Sequence, residues 1–221
     1  KPVATKKPGV RRTLQVSRSR QMGFDRLPQI LNLLYEHRDD GRVLRAQLIE
    51  ESGLPESQIE SLVSVGVAMG LIKLGQQILT PVGLLVAEYD VFLEQQGTLE
   101  WCHYRAAGSY RNLIWYEAFN DLLTRTTAMT EAAWVAHFES YLQGVFADET
   151  IRRHVASEVE FVVNAYREGS FQQLDLLKET RDGRLYIQRY TRFAPAVVCA
   201  MLYDTITQEG GSVAQVAQLA T

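Results

Sequence analysis

Residues 54–80, LPESQIESLVSVGVAMGLIKLGQQILT, decide the reading of the fold. Leu54-Pro55-Glu56-Ser57 is a turn leading into a helix, with Ile59, Leu62, Val63 and Val67 on one face. Gly70-Leu71-Ile72-Lys73 and Gln77-Ile78-Leu79-Thr80 then form two short β-like runs around a turn at Gly75. Upstream, Leu27, Ile30, Leu31, Leu34 and Tyr35 recur with helical spacing over 24–37. Asp25 is a candidate cap there, and Pro28 sits early enough that its missing N–H is tolerated. A further helix fits 43–52, with Leu44, Leu48 and Ile49 inward and Gly53 as its stop. Three helices closing on a hairpin is the order of a winged helix-turn-helix. The third helix would be its recognition helix. Its polar face, however, offers Ser57, Gln58, Glu60, Ser61 and Ser64, with no Lys or Arg before Lys73. A major-groove reader brings basic side chains to phosphates and guanine edges, so protein docking stands beside DNA reading.

The rest of the chain predicts a mainly α protein. Helical patterns cover 81–93 (Leu84, Leu85, Ala87 and Tyr89 apolar), 98–107, 113–123, 130–142 and 148–166. Ile151, Val155, Val159, Val162 and Tyr166 make one stripe in the last of these, and Thr130 and Asp148 are candidate N-caps. The period then changes. Residues 174–190 read as two strands around Arg181-Asp182-Gly183-Arg184, Asp-Gly being a preferred hairpin turn. An apolar helix over 194–207 should close the core, and Gly210-Gly211 breaks it before a last short helix. The expected domain organisation is a flexible basic arm over 1–23, a winged-helix domain over 24–95, and a helical domain with the hairpin over 96–221. The start at Lys1 suggests that a short leader is missing, and the end looks truncated.

Charge is uneven. Of the 221 residues, the first 26 hold eight Lys and Arg against Asp25 alone, although the whole chain has a net charge of −3. That excludes a uniformly basic protein but not a local polyanion-binding element. The arm reads either as a solvated tail or as a contact to phosphates or an acidic partner. The hairpin and its exit carry Lys178, Arg181, Arg184, Arg189 and Arg192 beside Tyr186 and Tyr190. Basic residues next to aromatics suit a nucleic-acid backbone, while the plainer reading is an edge hairpin protected by charge. Apolar residues at 46% exclude wholesale disorder. Two cysteines exclude a disulfide framework or a four-thiolate zinc site. With no apolar run of bilayer length, the chain reads as a cytoplasmic protein that does not span a membrane.

Catalytic signatures are weak: there is no phosphate-binding glycine loop, nucleophile elbow or His-Glu-x-x-His. Glu100 and His103 stand one turn apart and share a helix face, so they can hold one metal or pass a proton, though an ordinary core-edge pair has the same spacing. Tyr104, Arg105, Tyr110 and Arg111 come next, a set able to assist phosphodiester cleavage. Glu117 and Asp121 offer a second place for a divalent ion, or simply a solvated helix face.

Three runs carry a resemblance: Leu79-Thr80-Pro81-Val82-Gly83, Tyr89-Asp90-Val91-Phe92-Leu93-Glu94, and Thr98-Leu99-Glu100-Trp101-Cys102-His103-Tyr104. With Trp115-Tyr116-Glu117-Ala118-Phe119-Asn120 downstream, the chain resembles the family catalogued as domain of unknown function 4007. That family includes the SspB-like components of bacterial DNA phosphorothioation systems. The likeness covers about 24–205 and is most specific over 79–120. Val91 stands where the family has proline, Gln95 where it has aspartate, and Glu100 and Cys102 where it has apolar residues. The resemblance implies a role in DNA modification or anti-phage defence. Implied partners are an ATPase, a sulfurtransferase-like enzyme and a cysteine desulfurase, and the implied activity is nicking of one strand before sulfur insertion. On that reading His103, Tyr104 and Glu100 are the candidate catalytic residues, with Mg²⁺ or Mn²⁺ as a compatible metal. Arg11, Arg12, Arg18, Arg20, Arg181, Arg184 and Arg189 are the candidate DNA contacts, and a homodimer is left open. A non-catalytic adaptor and a winged-helix regulator are the alternatives.

Overall fold

The apolar spacing of the first helical stretch produces α1 (Leu27–Glu36), which buries Leu27, Ile30, Leu31 and Leu34 and carries Pro28 in its first turn. These details come from a computed structural model, which describes residues 12–17, 24–125, 128–188 and 192–208. Arg11, Arg18, Arg20 and Arg189 lie outside the described residues. The second helix, α2 (Arg45–Ser52), ends where Gly53 turns left-handed at φ 66° and donates its N–H to Ile49 O. Helix α3 (Glu56–Ala68) packs Ile59, Leu62 and Val65 inward against α1 and α2.

The two β-like runs after α3 shrink to one antiparallel bridge, Ile72–Leu79. Left-handed backbone at Gly75 and Gln77 (φ 74° and 53°) curls the intervening loop away after that pair. Thr80 then caps α4 (Pro81–Tyr89), accepting from Gly83 N at 2.9 Å. Gly83 is needed there, because a Cβ would lie 1.9 Å from Leu71 O. On α4, the apolar Leu85 and Tyr89 are 58% and 69% exposed.

Helix α5 (Gln96–Gly108) joins the two halves. Its Leu99, Cys102 and Ala106 are fully buried, and it touches both α3 and α6 (Leu113–Glu117). The hydrophobic cluster runs unbroken from Leu14 to Leu185, so the core does not divide at residue 95. After α6 the chain widens into a π turn over Ala118–Leu122, then the short α7 (Leu123–Arg125). Helices α8 (Glu131–Leu142) and α9 (Asp148–Arg167) pair. Thr130 caps α8 through Ala133 N, whereas the N-cap of α9 is Ala147 and Asp148 is its first helical residue. The α9 stripe from Ile151 to Tyr166 is buried as its spacing requires.

The small sheet orders β1 (Met129–Thr130), β3 (Arg184–Ile187) and β2 (Leu177–Glu179), all antiparallel. The hairpin is shorter than its 174–190 pattern, with Gly183 left-handed in the turn. Strand β1, two residues long, has no periodicity to read.

Two further expectations change. Residues 12–17, expected inside a flexible arm, form a strap packed into the core, with Leu14, Val16 and Ser17 at most 5% exposed. Helix α10 (Pro195–Gln208), expected to close the core, lies against α5 and leaves much of its apolar surface outside. Among the described residues no helix is long and apolar enough to cross a membrane.

Candidate nucleic-acid interface

The outward side of α3 is the first place to look for a groove reader. Ser57 is exposed there, but Ser61, expected on the polar face, is fully buried. The strap and the 74–77 loop border the same side. Thr13 and Val16 face Ile59, Val63 and Val67 across a cavity of about 160 Å³, with Arg111 also in its wall. The nearest cation on the neighbouring helix, Arg45, is turned onto acidic residues of α3: it pairs with Glu60 and lies 3.3 Å from Glu56. This helix therefore presents a half-covered, apolar-to-acidic surface, which is unfavourable for phosphates.

The basic candidates separate by environment. Arg12 is internal: its Nη1 lies 2.7 Å from Glu117 Oε1, and its guanidinium sits 4.1 Å from the Tyr110 ring centroid. Tyr141 also donates to Glu117 Oε1 at 3.1 Å. Arg12 is thus a structural cation, held by charge and ring face, and not a surface DNA contact. At the other end of the strap, Glu158 accepts from Val16 N at 2.9 Å and from Ser17 N and Oγ at 3.2 and 3.1 Å. Burial pushes its carboxyl up to about 8, against the pull of those donors.

The hairpin cations, by contrast, face solvent. Arg181 is exposed, and Arg184 meets Asp182 at 2.8 Å with both side chains more than half exposed. Such a surface pair is weak, so a phosphate can compete for the guanidinium. Arg42, Lys73, Arg153 and Arg192 are exposed as well.

The three candidate catalytic residues share α5 but not a site. The His103 ring is enclosed by the edges of Phe119, Tyr166 and Phe171, at centroid distances of 5.1, 5.6 and 6.3 Å. Trp115 Nε1–H donates to Tyr166 OH at 2.8 Å, so the phenol donates onward to His103 Nδ1 at 2.6 Å. Nδ1 is therefore the acceptor, and the ring's proton sits on Nε2. Burial pushes the imidazole down to about 4, so it is neutral near pH 7. Glu100 and Tyr104 serve another partner, α10. Glu100 is fully buried, accepting from Gln96 Nε2 at 3.0 Å and from Ala194 N at 3.2 Å at the start of α10. Tyr104 OH is within hydrogen-bond reach of Met201 O, Asp204 Oδ2 and Thr205 Oγ1, and Arg105 pairs with Asp204 at 2.5 Å. Glu100 and Tyr104 thus fasten one helix while His103 faces the aromatic core. Asn120, on the π turn, donates to Ala107 O and Tyr116 O, tying that turn back to α5.

Glu117, a metal candidate by its spacing from Asp121, is the partner of Arg12. Among the described residues no group of three or more His, Cys, Asp or Glu is placed to hold a metal ion. The anchoring roles of Glu117, Glu158 and Tyr166 were missed by the sequence reading. The alternation Leu14-x-Val16 was the available signal that the strap is buried. Comparisons with models of known families, with curated proteins and with solved structures return no match.

Proposed function

We propose that this chain is a DNA-binding, non-catalytic component of a phosphorothioation-type modification or defence system, acting in the cytoplasm. The observation that carries the DNA part is the outward basic hairpin, where Arg181 and Arg184 lie on either side of the Asp182-Gly183 turn and face solvent. Phosphate neutralisation by such residues gives affinity without sequence information. The adaptor reading is favoured over the nickase reading by the environment of α5, whose three candidate catalytic side chains are engaged in packing and diverge. On this reading α1–α3 and the 70–80 loop are a winged helix-turn-helix with a minimal wing. Its α3 surface, carrying Glu56 and Glu60, serves a protein partner better than a DNA groove. The partners implied by the resemblance are an ATPase, a sulfurtransferase-like enzyme and a cysteine desulfurase.

The test is fluorescence anisotropy of a labelled duplex against salt concentration. Wild-type affinity should fall linearly on a log–log plot, and reversing Arg181 and Arg184 to Glu should weaken binding and flatten the slope by about one per lost phosphate contact. Binding with the same affinity and slope in the double variant would contradict the hairpin's role.

A further inference from the structure

One imidazole stands between two carboxylates where α1 meets α2. His37, the residue that ends α1, donates its backbone N–H to Leu33 O at 3.2 Å. Its Nδ1 lies 2.8 Å from Asp40 Oδ2 in the turn that follows, and its Nε2 lies 2.8 Å from Glu51 Oε2 on α2. A neutral imidazole has one N–H, so only one of these contacts could then be a hydrogen bond, and the other would set lone pair against lone pair. The charged ring satisfies both. A cation is also favoured at the C-terminus of a helix. The bond to Asp40, and after it the bond to Glu51, raise this imidazole above its ordinary 6.5 against partial burial, and His37 lowers Glu51 in return. Neighbouring charges are directed elsewhere: Arg38 to Asp39 and the Tyr35 ring, Arg45 to Glu56 and Glu60 of α3, and Glu88 of α4 to Tyr89. Glu36 and Glu50, on α1 and α2, are exposed, and Asp25 and Arg26 precede the far end of α1.

Helix α2 depends on such contacts, because only Leu48 of its eight residues is buried. Arg45 ties its start to α3, while Glu51 ties its end to α1, beside Gln29 Nε2, which donates to Ser52 O at 3.0 Å. Gln47, one turn before Glu51, donates from Nε2 to Glu51 Oε1 at 2.9 Å and lies 3.2 Å from His37 Nε2. A replacement donor is therefore already beside that ring nitrogen. We propose that His37 is a proton-operated clamp on α2. The charged ring binds Asp40 and Glu51 together and holds the last turn of α2 on the end of α1. When Nε2 gives its proton to solvent, it accepts from the Gln47 amide instead, and Glu51 is released. The clamp is fully closed below 6.5 and opens as pH rises through the raised folded value. The Gln29 tether carries no charge and stays, so α2 loosens without leaving α1.

Proton NMR of the His37 ring and amide exchange of α2, both on the full chain, test the clamp. The His37 midpoint should lie above 6.5, and Asp40→Asn combined with Glu51→Gln should bring it down. Protection of the amides at 49–53 is then compared at pH 6 and pH 9, corrected for the intrinsic pH dependence of exchange. Its loss should be about two- to fivefold greater in wild type than in His37→Gln, the span expected of a surface ion pair. Glu158 is intact in both chains, so its own pH dependence is common to them. A midpoint at or below 6.5, a midpoint unmoved by the double variant, or the same loss of protection in His37→Gln would each overturn the proposal.

Discussion

The strap at 12–17 and the hairpin at 177–187 belong to the two stretches that read alike in sequence, each basic and each considered for DNA. They end in opposite environments. Arg12 is drawn inside to Glu117 and two tyrosine rings, and the strap it leads is closed by Glu158 at its far end. Arg181 and Arg184 stay in water beside Asp182. Positive charge does not decide the difference, and neither does a buried neighbour alone, since Leu185 beside Arg184 is buried too. What each cation meets decides it: an interior carboxylate and tyrosine rings for Arg12, an exposed carboxylate for Arg184. The strap offers Leu14 and Val16 on one side of an extended chain, each contributing about 1.5–3 kcal/mol when buried. That is enough to bring a neighbouring cation into reach of an interior carboxylate. The hairpin also buries Leu177 and Leu185, but its turn, Arg181-Asp182-Gly183-Arg184, has no apolar residue, and Arg184 meets the exposed Asp182 rather than an interior carboxylate.

The largest expected effect lies on the strap. Arg12→Ala leaves Glu117 buried without its cation and should cost about 3–5 kcal/mol in urea unfolding. Arg181→Glu, by the same measurement, should change stability by less than about 0.5 kcal/mol. Equal effects from the two would erase the distinction drawn between them.

A second effect concerns pH. Glu158 holds its proton in the folded chain up to about 8, well above the value of a free carboxyl. Its contribution is fully present below the unfolded value and is lost as pH rises through the folded one. His103 acts in the opposite direction: its folded value of about 4 lies below that of a free imidazole, so stability is lost as pH falls from 6.5 toward 4. Between pH 6.5 and 8 only the Glu158 decline operates of these two, with a slope of up to about 1.4 kcal/mol per pH unit. Glu158→Gln should flatten that decline in unfolding curves taken across the range, while His103→Gln should leave it in place. A decline that persists in Glu158→Gln would separate the strap from this carboxyl.

The helical half of the fold was legible because α1, α3 and α9 carry apolar residues at the period that their burial requires. The wing was over-read: its two apolar runs are real, but left-handed turns at Gly75 and Gln77 allow one bridge. The candidate site was legible in composition and not in arrangement. Glu100, His103 and Tyr104 sit on one helix as their spacing demands, yet neighbours distant in sequence, Tyr166 and the 194–205 segment, draw them apart. No local pattern encodes those pairings. Glu158 lies 142 residues from the amide it accepts from, which no spacing rule reaches.

A smaller effect sharpens the contrast within α5. His103→Phe keeps ring packing but removes the acceptor for Tyr166 OH, and should cost about 1–3 kcal/mol. Tyr104→Phe removes only the hydroxyl contact to α10 and should cost about 0.5–1.5 kcal/mol. Thermal melts in parallel distinguish them.

The most direct test of the central claim, DNA binding without strand cleavage by this chain, is incubation with supercoiled plasmid and Mg²⁺ or Mn²⁺, with protease and detergent added before the gel. Plasmid that shifts in mobility while protein is bound, and returns as intact supercoils after its removal, is the result expected. Open circles made by the wild-type chain and lost in His103→Gln or Tyr104→Phe would contradict the account and return α5 to the role of a catalytic helix.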